Sequence, residues 1–321
     1  MRGRVLVTGA SGFVGGHLCP ELLAGGWSVR AVVRGREAAG RLPRGVEPFY
    51  VSEIGPETDW GGGLEGVDVV AHLAGRAHVT EEGAANPLDA YREINVGGTR
   101  RLAEACAGAE VRRLVFVSSV KAVGEGAPEA YDEETPRRPE DAYGVSKMEA
   151  EDALAEVSGR TGLEAVVLRP PLVYGPGVKA NFRMLMGLVS RGLPLPLGLV
   201  GNERSMVYVG NLTATISSCL EHPAAAGETF FVADGESPST KELVRRMGRL
   251  MKRPARLVPV PVPLLRLGGR LTGRSGQVDR LVGSLTVSTA KIRRLLGWTP
   301  RFSLDDGLRE TVDWYAARAE G

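Results

Sequence analysis

Short, almost uninterrupted apolar runs alternate with helical patterns through the first half of this 321-residue chain. Each run is followed by Gly, Pro or Ser, residues that end strands and begin turns. Continuous apolar strands are typical of a parallel sheet covered on both faces, so the alternation predicts a doubly wound α/β fold. The predicted strands are residues 4–8, 29–33, 47–51, 67–72, 113–118 and 165–169, and the helices between them are 13–24, 95–107 and 143–161.

The pattern changes after Pro170. Segments 170–177 and 192–204 are predicted loops, whereas 206–234 again has the pattern of strand, helix and strand and could return to the sheet. We expect two domains: 1–175 with 206–235, which contains the sheet, and a smaller, mainly helical domain formed by 176–205 with 236–321. The predicted helices beyond residue 176, outside 206–234, are 181–191, 240–252, 262–271, 288–296 and 304–319.

Charge and composition exclude several classes of protein. The 40 basic and 38 acidic residues give a net charge of +2, which argues against nucleic-acid binding driven by overall charge. No run of 18 apolar residues and no signal-peptide core are present, so we expect a cytoplasmic protein without membrane partners. Cys19, Cys106 and Cys219 are far apart, without metal-binding spacing, and are predicted to be buried thiols in a reducing compartment.

The first predicted strand leads into glycines spaced G-x-x-G-x-x-G. Gly9 allows a tight turn, Gly12 lets the backbone approach a pyrophosphate, and Gly15 lets the next helix pack closely on the strand. An anion would then bind to free N–H groups at the positive end of that helix. The position of this loop favours a dinucleotide-binding site over a simple turn, with Gly9, Ser11, Gly12, Phe13, Val14 and Gly15 as the cofactor-binding residues.

A tyrosine and a lysine share one face of a predicted helix. Tyr143 and Lys147 are four residues apart, and the chain has only six lysines, so a chance Y-x-x-x-K is uncommon. A nearby ammonium lowers the pKa of a phenol, and a phenolate can take a proton from an alcohol as hydride leaves its carbon. Ser119, at a predicted strand end, could hydrogen-bond the same oxygen. The sequence contains no G-x-S-x-G hydrolase motif, and no metal site is expected from its histidines, His17, His72, His78 and His222.

These motifs resemble the extended branch of the short-chain dehydrogenase/reductase superfamily, and most closely its bacterial UDP-sugar 4-epimerases of surface-polysaccharide pathways. The resemblance covers essentially the whole chain in the correct order. It implies a Rossmann domain, a nucleotide-sugar domain, bound NAD or NADP, a UDP-sugar substrate and a homodimer formed through 95–107 and 143–161. The segments that carry it are TGASGFVG from Thr8, NVGGT from Asn95, VSS from Val117, YGVSK from Tyr143, RPPLVYG from Arg169, RSMVYVGN from Arg204 and GWTP from Gly297.

The resemblance also implies further cofactor contacts. At the end of the second strand, where NAD-binding domains have a carboxylate for the ribose, this chain has Arg34, which suits a 2′-phosphate. NADP is therefore as well supported as the NAD that the epimerase resemblance implies. Glu53 is expected near the adenine amino group or as a solvated loop residue. The other implied contacts are Ile54, Leu73, Ala74, Gly75, Asn95, Val117, Tyr143, Lys147 and Pro170.

The strand end at Ser119 separates two reactions of this superfamily. The 4,6-dehydratases have T-D-E where this chain has Ser119, Val120 and Lys121, so it lacks their proton-transferring carboxylates. We therefore exclude a dehydratase. Lys121 is expected either to bind the substrate diphosphate or the cofactor, or to pair with Glu125 or Glu149.

An epimerase must keep the nucleotide bound while the oxidised sugar ring rotates in the site. The resemblance assigns this role to Asn181, Arg204 and Arg280, whereas Asn181 could also cap a helix and Arg280 could be solvated. The resemblance also implies that a residue of segment 283–286 limits the pocket for the C2 substituent. This segment has no aromatic residue, so we expect room for an acetamido group and interconversion of UDP-GlcNAc and UDP-GalNAc, alongside UDP-Glc and UDP-Gal. The alternatives are an NADPH-dependent carbonyl or ketosugar reductase and a non-enzymatic nucleotide sensor; the Tyr143–Lys147 pair argues against the sensor.

Overall fold

The computed structural model describes residues 2–77, 87–127 and 129–319. His78 lies outside the described residues. None of the helices in the described part of the chain combines the length and hydrophobicity needed to span a membrane.

Seven parallel strands form the main sheet in the order β3-β2-β1-β4-β5-β6-β9. The chain first adds strands on one side of β1 and then returns to the other side, so the order reverses between β1 and β4. Ligands of such sheets bind beyond the carboxyl ends of the strands at this reversal. The strands are β1 (Arg4–Thr8), β2 (Ser28–Val33), β3 (Glu47–Tyr50), β4 (Val69–His72), β5 (Arg113–Val117), β6 (Glu164–Arg169) and β9 (Thr229–Phe231).

Helices cover both faces of this sheet, as the continuous apolar strands predict. One face packs on α1 and α7 through side chains that include Val7, Leu18 and Ile216. The other face packs on α4 and α5 through side chains that include Leu102 and Leu154. The helices are α1 (Phe13–Ala24), α2 (Arg36–Ala39), α3 (Pro87–Tyr91), α4 (Gly98–Gly108), α5 (Ala142–Thr161), α6 (Ala180–Ser190), α7 (Val209–Glu221), α8 (Thr240–Leu250), α9 (Val262–Leu271), α10 (Ser275–Val282), α11 (Ala290–Leu296) and α12 (Leu304–Ala319).

A separate apolar cluster lies in the second half of the chain. It contains Tyr174, Phe182, Tyr208 and Leu308, and it is built mainly from α6, α8 and α12. Two short strands, β7 (Leu172–Tyr174) and β8 (Met206–Tyr208), pair in parallel beside it.

Four segments differ from the sequence predictions. Segment 170–177, predicted as a loop, contains β7, and β8 pairs with β7 while only β9 returns to the main sheet. The sequence does not predict helix α10, because its segment, SGQVDRLV, is short and begins with Ser and Gly, which are weak helix formers. The helix predicted to start at Asn95 is instead preceded by a π-helical turn, Arg92–Gly97, and by α3.

Candidate active site

The glycine loop folds as its spacing predicts. Gly9 has φ +68°, and a Cβ there would lie 2.9 Å from the Ala74 nitrogen. A Cβ on Gly15 would lie 2.3 Å from the Gly9 carbonyl oxygen, so only glycine allows α1 to approach β1 this closely. No side chain caps α1, and its first turn contains no acidic residue. This end of the helix therefore presents free N–H groups to an anion.

Hydrogen bonds join the carboxyl ends of β1 and β4, the two strands on either side of the reversal. The Thr8 hydroxyl accepts hydrogen bonds from the Leu73 and Ala74 nitrogens at 3.2 and 3.1 Å. Asn95, buried in the π-helical turn, accepts from the Arg76 nitrogen at 2.8 Å and donates to the Ser146 hydroxyl at 2.9 Å. These bonds fix the segment beyond β4 between the glycine loop and α5, where the sequence predicted cofactor contacts.

The predicted contacts with the adenosine end of the cofactor lie on the surface. Arg34 follows β2 directly and is exposed, and no carboxylate pairs with it among the described residues. Glu53 is also exposed, although its carbonyl oxygen accepts a hydrogen bond from the Thr58 hydroxyl at 3.1 Å. Ile54 lies against Gly98. The sequence order thus brings these residues to the same edge of the sheet as the glycine loop.

Tyr143 lies in the first turn of α5, which Asp141 caps by accepting a hydrogen bond from the Gly144 nitrogen at 2.7 Å. Burial raises the pKa of Tyr143 to about 12, and a hydrogen bond with the Ser119 side chain acts in the opposite direction. The Tyr91 ring packs edge-on with a centroid distance of 6.0 Å. The structure therefore brings Ser119 and Tyr143 together as the sequence predicted.

Lys147 is buried one helical turn further along α5, with 3% of its surface exposed. Its ammonium donates to the Val117 carbonyl at 2.8 Å and lies 4.2 Å from the centre of the Phe116 ring. Burial lowers the pKa of Lys147 to about 7, and the Glu151 carboxylate opposes this shift. The lowered pKa that the sequence predicts for Tyr143 is not found in this structure: burial dominates at the phenol and raises its pKa, and the Lys147 ammonium donates to a carbonyl.

A buried ion pair beneath the site was not predicted. Arg169 donates to both oxygens of Glu151, the shortest contact being 2.6 Å, and Ser118 donates to the same carboxylate at 2.5 Å. The pair joins the ends of β5 and β6 to α5. The position of Glu151, four residues after Lys147, is the sequence signal that could have found it.

Lys121 pairs with two carboxylates, Glu125 at 2.6 Å and Asp141 at 2.5 Å. This bears out the alternative in which Lys121 pairs with Glu125, whereas Glu149 instead binds Arg92 at 2.6 Å. The half-buried ammonium is thus directed to acidic groups beside Tyr143. Because both carboxylates neutralise the charge of Lys121, this arrangement does not support its predicted role as a ligand of the substrate diphosphate.

Arg204 is half-buried and lies near Arg280, which is exposed. Arg204 donates to the Gly283 carbonyl at 3.1 Å, and burial lowers its pKa; Glu125 opposes this effect and nearby Arg280 adds to it. Segment 283–286, predicted beside the sugar, therefore runs next to Arg204. Asn181 is exposed in the first turn of α6, whose N-cap is Lys179, so the capping role considered for Asn181 is wrong.

The remaining candidate residues have structural environments. His72 is buried between the Thr8 and Thr99 hydroxyls, and burial lowers its pKa to about 3. All three cysteines are free and buried, as predicted, and burial raises the thiol pKa of each. Within the described ranges, no group of three or more His, Cys, Asp or Glu side chains is placed to hold a metal ion.

Comparison with known proteins agrees with this geometry. A UDP-glucose 4-epimerase of Vibrio cholerae is 41% identical over 312 residues, covering 96% of this chain and 94% of the relative. A 3β-hydroxysteroid dehydrogenase/Δ5→4-isomerase of Mycobacterium tuberculosis is 31% identical, covering 99% of this chain and 92% of the relative. The crystal structure of a Thermus thermophilus UDP-glucose 4-epimerase in complex with NAD superposes with a TM-score of 0.76 at 27% identity, covering 98% of this chain and 99% of that one. The family model for the NAD-dependent epimerase/dehydratase family matches residues 5–233, and the chain belongs to that family.

Proposed function

We propose that the protein is a UDP-hexose 4-epimerase that acts through a transient 4-ketosugar. The observation that supports this proposal is the hydrogen bond between Tyr143 and Ser119, one helical turn from the buried Lys147. Arg204 lies near Arg280 and near Glu125, which pairs with Lys121. One side of the site suits a dinucleotide and the other suits a sugar diphosphate. We assign residues 176–205 and 236–321 to the part that binds the nucleotide sugar.

The residues at the sheet reversal fit a nicotinamide dinucleotide. A pyrophosphate is matched by the uncapped N-terminus of α1 and by the absence of a Cβ at Gly12, while Gly15 allows α1 to pack closely on β1. Asn95, Lys147 and the segment beyond β4 would surround its nicotinamide half. When bound, the nicotinamide supplies the hydride acceptor and, in the return step, the hydride donor.

The chain's own residues perform the proton transfer and hold the substrate. Tyr143 takes the proton from the sugar 4-hydroxyl as hydride leaves C4, and returns it to the same oxygen when hydride is delivered to the opposite face of C4, while Ser119 hydrogen-bonds that oxygen. Arg204 and Arg280 present guanidinium groups to the diphosphate, so the nucleotide stays bound while the ketosugar turns. Replacing Arg204 by Ala should weaken UDP binding by about 1.5–3 kcal/mol in titration calorimetry. An unchanged affinity would remove Arg204 from the site.

The cofactor preference follows from Arg34. Its exposed guanidinium at the end of β2 has no carboxylate partner among the described residues and can bind a 2′-phosphate. We therefore expect measurable NADP binding alongside NAD, and Arg34→Ala should reduce the affinity for NADP more than that for NAD. A hundredfold or greater preference of the stripped protein for NAD would contradict this role.

The sugar specificity follows from segment 283–286. It contains no aromatic side chain, and Arg204 binds its first carbonyl, so it adjoins the proposed diphosphate site. We infer that UDP-GlcNAc and UDP-GalNAc are interconverted, alongside UDP-Glc and UDP-Gal. Separation of the C4 epimers by chromatography after incubation with each UDP-sugar tests this proposal.

A ketone reductase is the second candidate, favoured by Arg34 and by the hydroxysteroid dehydrogenase relative. The two functions differ in how the cofactor behaves. An epimerase regenerates its cofactor in each turnover and retains it through purification, whereas a reductase exchanges it. Denaturing the purified protein and identifying the released nucleotide and its redox state therefore distinguishes them.

A further inference from the structure

One stretch of the chain departs from the overall balance of charge. From Leu243 to Val278 the sequence has nine Lys and Arg residues and no Asp or Glu, although the whole chain has a net charge of only +2. Helix α9 lies inside this stretch. A basic segment with an apolar helix is typical of a protein that binds an anionic surface.

Helix α9 has two apolar faces. Its inner face packs on the cluster of the second half through Val262 and Leu265. Its outer face exposes three leucines, Leu264, Leu267 and Leu271, whose exposed fractions are 57%, 51% and 80%. These three positions follow the i, i+3, i+7 spacing and therefore form one continuous apolar stripe. An exposed stripe of this kind marks an interaction surface.

Arginines border the stripe. Arg270 lies on α9 beside the leucines, and Arg274 lies just beyond its end. Both side chains are exposed, and no carboxylate lies within 4.0 Å of either among the described residues. Arg266, one turn before Arg270, is exposed and pairs with Asp279 at 3.3 Å.

We propose that the outer face of α9 docks on an anionic phospholipid bilayer. The leucines would enter the boundary between headgroups and acyl chains, and the arginines would contact the lipid phosphates. This is surface binding, which the absence of a membrane-spanning helix in the described residues leaves open. The proposal differs from the sequence-based expectation of no membrane partner. That expectation rests on the absence of a membrane-spanning segment and does not take the outer face of α9 into account.

Charge complementarity favours a bilayer over a second copy of the chain. Two α9 faces in contact would bring the unpaired Arg270 and Arg274 of one copy against those of the other. Nucleic acid would satisfy the arginines but would leave the three leucines in water. An anionic lipid surface satisfies both kinds of side chain.

Cosedimentation of the full chain with vesicles tests the proposal. We expect binding to vesicles of phosphatidylglycerol and phosphatidylethanolamine that is weakened by salt, and affinity for pure phosphatidylcholine vesicles lower by about tenfold or more. The triple variant Leu264→Ser, Leu267→Ser and Leu271→Ser should lose binding. Arg270→Gln with Arg274→Gln should weaken binding and reduce its salt dependence.

Matched controls separate docking from general effects. Met184→Ser removes an equally exposed apolar side chain on α6, and Arg41→Gln with Arg44→Gln removes two exposed charges near β3; both should bind vesicles as the unmodified chain does. Because the leucines are exposed, the triple variant should keep its thermal unfolding temperature. Equal binding to anionic and neutral vesicles, or full binding by the triple variant, would overturn the proposal. So would light scattering that showed a dimer lost in the triple variant, since α9 would then be a contact between copies.

Discussion

The charge of Lys147 depends strongly on its surroundings. Burial lowers the pKa of Lys147 from 10.5 to about 7 in this structure. Near neutral pH, the protonated and the neutral forms of its amine therefore have similar free energies. A bound dinucleotide would change that environment, as would loss of Glu151. Burial alone disfavours the phenolate of Tyr143, so its reactivity depends on the groups that surround the phenol, such as Ser119.

The lowered pKa of Lys147 makes stability depend on pH. Between about pH 7 and 10.5 the unfolded chain binds this proton and the folded chain does not, so the free energy of unfolding rises with pH by up to about 1.4 kcal/mol per unit. The contribution is complete above pH 10.5 and is lost as the pH falls through 7. Lys147→Met should remove this slope in urea unfolding of the cofactor-free protein. A variant with the same slope as the unmodified chain would show that Lys147 titrates elsewhere.

Tyr143→Phe should keep the fold and cofactor binding but reduce turnover by about 10²–10⁴, because it removes the proton acceptor. The comparison is made by kcat for the UDP-sugar reaction, with Tyr315→Phe as the control. Near-normal turnover in Tyr143→Phe would show that another group moves the proton.

At the scale of elements, the N-terminus of α5 is fixed by charge. Asp141 caps the helix and also binds Lys121, and the Asp141 carboxylate raises the pKa of the nearby Tyr143. Ser119 and Tyr91 also act on the phenol, and Glu125 binds Lys121 and hydrogen-bonds Asp141. Lys121 is therefore placed to compensate the charge that would otherwise oppose a phenolate.

Removing Lys121 should shift the pH profile of turnover. In Lys121→Met the Asp141 charge is no longer compensated, so the rising limb of kcat should move to higher pH by about one unit. Adding Asp141→Asn, which retains a capping side chain, should restore the profile. Lys291→Met, which breaks a comparable pair with Glu228 at 2.7 Å, is the control and should leave the profile unchanged. A shift that persists in the double variant would point to a structural effect.

Elements with strong local signals were predictable from the sequence. The strands around Val7 and Val115 are continuous apolar runs, and the glycine spacing fixes how α1 meets β1. Strand β7 was not predictable, because the prolines before it suggest a loop and its pairing with β8 depends on residues more than 30 positions away. The partners of Lys121 and Arg204 likewise depend on segments that meet only in the folded chain.

At the scale of the whole molecule, the glycine loop, the Tyr143–Lys147 helix and the arginine pair come from three separate regions of the chain. Tyrosine and serine alone would serve a reductase equally well. In the proposed function, Arg204 and Arg280 supply what an epimerase requires in addition, which is binding of the nucleotide while the ketosugar rotates.

The most direct measurement is incubation of the purified protein with UDP-GlcNAc and, separately, UDP-Glc, with no cofactor added. We predict that chromatography will show each sugar converted to its C4 epimer, with the same final mixture reached from either epimer and no net change in nicotinamide absorbance. If no epimer forms from any UDP-hexose while a ketone drives steady NADPH oxidation, the protein is a reductase, and the proposed binding of a sugar diphosphate by Arg204 and Arg280 is wrong.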